Sequence, residues 1–246
     1  DLRMSRGLGD VYKRQLYQAL EENGDQIPRM VLEEQMEQLN IIQGNCCRLM
    51  RPSVLWLEQL KYVQKNELSG EALFLDRELS NFVESCRMVL GKALKMTADA
   101  EKPLCIFANR RRLQICLLCM VLYLRDHCPE ISRLTWQTEQ QGDQVVLRCT
   151  AVSDGTEPPA HRHSQTEHLY DTHFPSPEEQ IVQKFCRTYH AAVLFSAAEE
   201  MWQYTLRFPL YEHASFLSLE SSRTTLDDGM FSLYQIFLSD ISEYRF

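Results

Sequence analysis

The stretch NRRRLQICLLCMVLYLRD, Asn109 to Asp126, decides the fold, because three arginines lead directly into an almost unbroken apolar run. Six apolar residues recur at spacings of three and four and would share one helix face: Leu113, Cys116, Leu117, Met120, Val121 and Leu124. The opposite side is apolar as well, with Ile115, Leu118 and Leu122. This period predicts a core helix that is buried on most of its surface. The run is shorter than the about 18 to 20 apolar residues that cross a bilayer, and we expect Asp126 to Pro129 to end it.

The composition is typical of a globular protein with a core of ordinary size: 246 residues, of which 44% are hydrophobic, with a formal charge of -8. A general nucleic-acid binder usually presents a basic face to phosphates, so this balance argues against a nucleic-acid partner.

Nine cysteines are scattered along the chain, several of them inside apolar helical patterns, which predicts a reduced cytosolic compartment. Cys116 and Cys119 form a CxxC motif within the predicted core helix Asn109–Asp126, and the sequence has no second CxxC. We therefore interpret both as small buried hydrophobes in preference to a zinc or redox site.

The first 15 residues do not read as a protein terminus, and Asp10 to Gln15, DVYKRQ, resembles the in-frame translation of a transposase sequencing adaptor. We expect residues 1–15 to be an artefact outside the fold and the native protein to extend upstream of Leu16. A short native amphipathic start is the alternative.

Residues 16–69 predict a helical hairpin. Leu16 to Asn23 is helical in pattern, Gly24 and Pro28 interrupt it, and a longer helix runs from Met30 towards Lys65. One stripe on that helix is the expected seam of a helical hairpin or coiled coil: Leu32, Met36, Leu39, Ile42, Cys46 and Leu49. Pro52 should kink the helix, and beyond it we expect one apolar face to carry Leu55, Leu60 and Val63.

Residues 70–210 alternate predicted strands and helices. In order we first expect a strand Glu71–Leu79, a helix Leu79–Met96, a strand Lys102–Ala108 and the core helix Asn109–Asp126. A hairpin Leu134–Gln140 and Gln144–Ala151 and a loop Ser153–Pro177 follow. The last elements are a helix from Pro177 to about His190 and a hairpin Ala192–Ala198 and Met201–Pro209. Residues 211–246 form a C-terminal extension with strand character in Phe231 to Leu238.

This order of elements resembles the core of sensor histidine kinases, in which a dimerisation hairpin precedes an ATPase domain. Three phrases carry the likeness: Leu39–Leu60 resembles the second dimerisation helix, Ala108–Leu118 the approach to the family's asparagine box, and Thr205–Leu210 the closing strand of the ATPase domain. The resemblance implies an α+β fold, a helical hairpin followed by a two-layer α/β sandwich of the histidine-kinase-like ATPase (Bergerat) type.

The likeness also assigns positions to the family's nucleotide site. Two asparagines of the family hold the magnesium and phosphates of ATP, and aligning Arg112 and Leu113 with its Arg-Leu pair places Cys119 and Tyr123 there. A thiol and a phenol are poor ligands for magnesium, which prefers hard oxygen donors. Asn109 stands where the family has an acid.

The glycine motifs of the family are altered as well. Its Asp-x-Gly-x-Gly turn maps onto Ser153 as the acid position and Gly155 as the first glycine, with Asp154 as the acid in an alternative register. The second glycine box maps onto FPSPEEQIV, which has no glycine, and Glu178 and Glu179 there would repel a triphosphate.

From these departures we interpret the chain as a two-component signal-transduction module that has lost ATP binding and acts through dimerisation or protein contacts. Its expected partners are a second copy, an active kinase and a response regulator. The alternative is an active sensor histidine kinase that uses ATP and magnesium through atypical ligands. We expect a cytoplasmic location, a membrane link only through upstream segments, and any acceptor histidine upstream.

A group of four histidines and a group of three arginines could each bind a ligand or simply be solvated. Four histidines in the Ser153–Pro177 loop could bind a transition metal, although a solvated loop is preferred: His161, His163, His168 and His173. Three arginines could meet a phosphate, although solvated side chains or pairing with acidic groups is preferred: Arg110, Arg111 and Arg112.

Overall fold

The computed structural model describes residues 29–63, 70–100, 102–127, 131–153, 175–198, 201–211 and 232–241. Its elements are α1 (Arg29–Val63), β1 (Glu71–Phe74), α2 (Leu75–Leu90), β2 (Lys95–Ala100), β3 (Cys105–Ala108), α3 (Arg110–His127), β4 (Ile131–Gln141), β5 (Gln144–Ser153), α4 (Pro177–Thr188), β6 (Ala192–Ala198), β7 (Met201–Pro209) and α5 (Leu233–Leu238).

Five strands form one mixed sheet in the order β2-β4-β5-β7-β6. β2 runs parallel to β4, and the remaining neighbours are antiparallel. The β4–β5 hairpin turns at Gly142, whose φ of 63° lies in the left-handed region that glycine adopts without steric cost. β1 and β3 pair separately as a two-stranded antiparallel ribbon.

The helices form a second layer over the five-stranded sheet. α2 contacts β2 and β4, α3 contacts β7 and α4 contacts β6, while α3 also packs against α4. α3 is the centre of this layer, since ten of its residues from Leu113 to Leu124 are at most 3% exposed and Tyr123 is 9% exposed. The predicted α+β fold of two layers, with α3 as a core helix, is confirmed.

Two predicted boundaries between β1 and β2 are wrong. The predicted strand Glu71–Leu79 ends at Phe74, and α2 begins at Leu75 with Asp76 and Glu78 in its first turn, where acids favour a helix start. The predicted helix to Met96 ends at Leu90, and Lys95 to Ala100 is strand β2. β2 is an edge strand in which Met96 is the one fully buried residue, so its sequence lacks a strand-like alternation.

The C-terminal prediction is also wrong, because the expected strand Phe231–Leu238 contains helix α5. The Ser232 side chain accepts from the backbone N–H of Gln235, and the Gln235 side chain accepts from the Ser232 N–H. This reciprocal capping box fixes the helix start. Three aromatic or branched residues in a row had favoured a strand, but burial against three helices decides the conformation.

α1 is continuous through Pro52. Of the predicted seam, Ile42 is 57% and Leu49 77% exposed, while Leu39 and Cys46 are half-buried. The exposed residues continue beyond Pro52 at intervals of seven with Trp56 at 62% and Val63 at 68%. Leu55 is 4% exposed and faces the body, so the prediction that it shares a face with Val63 is wrong. The first helix of the predicted hairpin, Leu16–Asn23, lies outside the described residues.

No helix within the ranges given above is both long enough and apolar enough to cross a membrane.

Candidate functional site

The start of α3 is held by contacts within the chain. The Asn109 side-chain oxygen accepts from the backbone N–H of Arg112 at 3.1 Å, which caps the helix where the family has an acid. Arg110 donates to Glu78 at 3.1 Å, and the Arg112 guanidinium lies 4.7 Å from the centroid of the Tyr62 ring on α1. Pairing of the arginines with acidic and aromatic groups thus accounts for Arg110 and Arg112.

Cys119 and Tyr123 lie one turn apart on the same side of α3, as the family's two asparagines would. Cys119 is fully buried and Tyr123 is 9% exposed. Both positions predicted from the resemblance are therefore brought together, but inside the packed helix layer.

Cys119 lies in a buried environment that carries charges from two other helices. Burial raises the pKa of its thiol well above the usual value, and the negative charges of Glu178 and Glu58 add to that rise while Arg51 opposes it. Glu58 on α1 is 3% exposed and accepts from Lys61 at 2.5 Å. Burial thus favours the neutral thiol, which packs as a small apolar group.

Tyr123 belongs to an aromatic cluster that sequence reasoning did not find: Tyr123, His127, Phe195 and Tyr204. The His127 ring stacks on Tyr123 at 3.8 Å between centroids. Phe195 on β6 and Tyr204 on β7 approach the Tyr123 ring edge-on at 5.0 and 5.2 Å. Edge-on rings at these distances are favourable aromatic pairs, so the phenol fills a formed cluster. The alternation along β7 predicts Tyr204 to face inward, but the sequence has no signal for the contact with Tyr123.

The start of α4, where the family's second glycine box would lie, is closed by its own side chains. Ser176 accepts from the backbone N–H of Glu179 at 3.2 Å, and the Glu179 carboxylate accepts from the Ser176 N–H at 2.8 Å. Pro177 occupies the first turn and has no N–H to offer. The groups that bind a phosphate at a helix start are partly used or missing, and two carboxylates stand beside them.

The remaining predicted site residues are only partly described. Ser153 ends β5 and pairs with Ile131 across the sheet. Asp154, Gly155 and the four histidines of the predicted loop lie outside the described residues. Within the ranges that are described, no group of three or more histidine, cysteine or acidic side chains could hold a metal ion.

Solved structures similar in fold to this chain include histidine kinases, the family that the sequence resembles. The histidine kinase AdeS of Acinetobacter baumannii has a TM-score of 0.48 at 11% identity, over 82% of this chain and 95% of that one. A histidine kinase of Burkholderia phymatum STM815 has a TM-score of 0.45 at 12% identity, over 83% and 95%. The ATP-binding domain of PrrB from Mycobacterium tuberculosis has 0.44 at 9% identity, over 58% and 98%. No known family model and no curated protein matches the chain.

The buried thiols make a prediction about alkylation. Burial raises the pKa of Cys186 to about 12, and that of Cys119 well above its usual value. Because the thiolate is the reactive form, we expect iodoacetamide at pH 8 to modify Cys119 and Cys186 at least roughly 100-fold more slowly in the folded protein than in urea-unfolded protein. Mass spectrometry of timed digests measures both rates. Equal rates before and after unfolding would contradict the burial of the site.

Proposed function

We propose that this chain is a histidine-kinase-like signalling module that has lost ATP binding and works through protein contacts. The observation that carries the proposal is the enclosure of Cys119 and Tyr123, the two positions that the resemblance assigns to the magnesium ligands. One is a fully buried protonated thiol and the other fills an aromatic cluster. Cys119 has no side-chain oxygen, and the phenol of Tyr123 is a poor ligand for magnesium, which prefers hard oxygen donors.

The start of α4 supports the same conclusion by its charge. A triphosphate bound there would meet the carboxylates of Glu178 and Glu179, and Glu179 is already bound to the backbone of Ser176. Like charges close to a phosphate oppose binding, and a capped helix start has fewer free N–H groups to compensate. Both places that would bind ATP therefore oppose it: α3 lacks magnesium ligands at Cys119 and Tyr123, and the start of α4 carries negative charge where phosphates would lie.

The contact function rests on the exposed seam of α1, which we define as Ile42, Leu49, Trp56 and Val63. The interval of seven is the repeat of a coiled coil. Three of the four residues that lie three positions before a member complete the usual apolar pair, Leu39, Cys46 and Leu60, and the fourth is the polar Ser53. A second copy of this chain is the proposed occupant, because the same repeat on two copies is self-complementary. A related active kinase would use the same surface.

The seam also predicts the association state. We expect the full chain to sediment as a dimer and Leu49→Glu to weaken dimerisation roughly 100-fold or more, because an unpaired carboxylate in a buried seam costs several kcal/mol. Sedimentation velocity over a concentration series measures both. Ile41→Glu is the matched control, since Ile41 is also 55% exposed but lies one residue off the repeat. A monomeric wild type, or equal weakening by the two variants, would contradict the seam.

The proposed setting is two-component signalling in a reduced, cytoplasmic compartment, with residues 16–69 as the dimerisation hairpin and residues 70–210 as the ATPase-like domain. The eight cysteines in the described ranges are free, which fits a reducing compartment. A response regulator is a proposed further partner.

A further inference from the structure

The segment Ser232–Ile241, which contains α5, packs against the helix layer. α5 contacts α1, α2 and α3, and Phe237 and Leu238 are fully buried. The Tyr234 ring lies 5.8 Å from that of Phe82 on α2. We call Ser232–Ile241 the C-terminal clasp, since it joins α1 to α2 and α3 of the helix layer.

The end of the clasp binds one turn of α1 through charged groups. Asp240 accepts from Arg48 at 2.5 Å and from Arg51 at 2.7 Å. Arg51 also donates to the Ser239 hydroxyl at 3.1 Å and to the Ile236 carbonyl at 3.2 Å. Burial raises the pKa of Asp240, but hydrogen bonds and charges from Arg51 and Arg48 outweigh it and hold the pKa below its usual range. The carboxylate is therefore charged at neutral pH.

The turn of α1 that Asp240 binds lacks one backbone hydrogen bond because of Pro52. Pro52 has no N–H, so the carbonyl of Arg48 lacks the donor that closes an ordinary helical turn, and the proline ring crowds that carbonyl. Such a position is where helices bend. The two arginines that hold Asp240 are the residue four before Pro52 and the residue next to it.

We propose that the C-terminal clasp fixes the geometry of α1 at Pro52 and so controls the alignment of the two halves of the exposed seam. Ile42 and Leu49 of the seam precede Pro52, whereas Trp56 and Val63 follow it. A partner that displaces the clasp would free this hinge, and a bound clasp fixes it. The device does not depend on whether nucleotide binds.

Amide hydrogen exchange of the full chain tests the clasp. Asp240→Asn keeps the shape of the side chain but removes its charge, and we expect exchange in peptides covering residues 44–56 and 233–241 to rise about tenfold, the equivalent of about 1.4 kcal/mol of local opening. Asp143→Asn is the matched control, because Asp143 is an exposed residue of the β4–β5 turn. An unchanged rate in residues 44–56, or an equal rise throughout the molecule, would overturn the proposal.

A second variant separates the hinge from simple loosening. Pro52→Ala restores the missing donor, so in the double variant with Asp240→Asn we expect residues 44–56 to exchange at nearly the wild-type rate while residues 233–241 stay about tenfold faster. A rise in residues 44–56 as large as that in Asp240→Asn alone would overturn the role of Pro52. If Asp240→Asn does not fold, wild type in 1 M salt, where screening is strong, must show the same regional rise or the proposal fails.

Discussion

Replacing Tyr123 by asparagine, the residue type that the family has at this position, is expected to lower the free energy of unfolding by about 3 to 5 kcal/mol and to create no nucleotide site. The substitution removes a ring that contacts Phe195 and Tyr204 and on which His127 stacks, and leaves an amide in the space. Urea denaturation followed by circular dichroism measures the loss.

Tyr123→Phe is the matched control, since it keeps the ring and should cost less than about 1.5 kcal/mol. If Tyr123→Asn retained nearly full stability, the aromatic cluster would be loosely packed. If it also gained saturable magnesium–ATP binding, the site would be a nucleotide pocket that lacks one ligand.

Phe82→Ala is expected to destabilise the protein by a similar amount, about 3 to 5 kcal/mol, because it opens a cavity where α2 packs against both β4 and α5. The Phe82 ring is 1% exposed, lies edge-on to Trp136 of β4 at 5.4 Å, and contacts Tyr234 of α5. Thermal and urea unfolding measure the effect. Phe82→Leu, which conserves more of the volume, should cost less than about 1.5 kcal/mol. A loss in Phe82→Leu as large as that in Phe82→Ala would contradict the cavity explanation and show that the aromatic contacts, rather than the filled volume, hold α2 to the sheet.

Elements whose apolar period is strong were predictable from the sequence. The apolar run of α3, the hairpins β4–β5 and β6–β7 and the helix from Pro177 agree with the structure because each carries its own period or turn signal. β2 and α5 could not be predicted in this way. β2 is an edge strand whose parallel partner lies beyond α3, and α5 is a short helix whose burial depends on α1, α2 and α3.

The candidate site was predictable in position but not in surroundings. The resemblance to histidine kinases led to Cys119 and Tyr123, and the helical spacing of four residues puts them on one face. Their enclosure comes from the packing of α3 against α4 and from the rings of Phe195 on β6 and Tyr204 on β7, which are distant in sequence. Contacts of this kind follow from the fold, and no local pattern contains them.

Titration of the full chain with ATP and magnesium tests the central claim, the loss of the nucleotide site, most directly. A site with a dissociation constant near 10 μM would, at 1 mM ATP, stabilise the protein by about 2.7 kcal/mol, which corresponds to a rise of roughly 5 to 10 °C in melting temperature. We predict no saturable heat in calorimetry and the same melting temperature with magnesium alone and with magnesium–ATP. A saturable 1:1 isotherm together with a rise of that size would contradict the proposal.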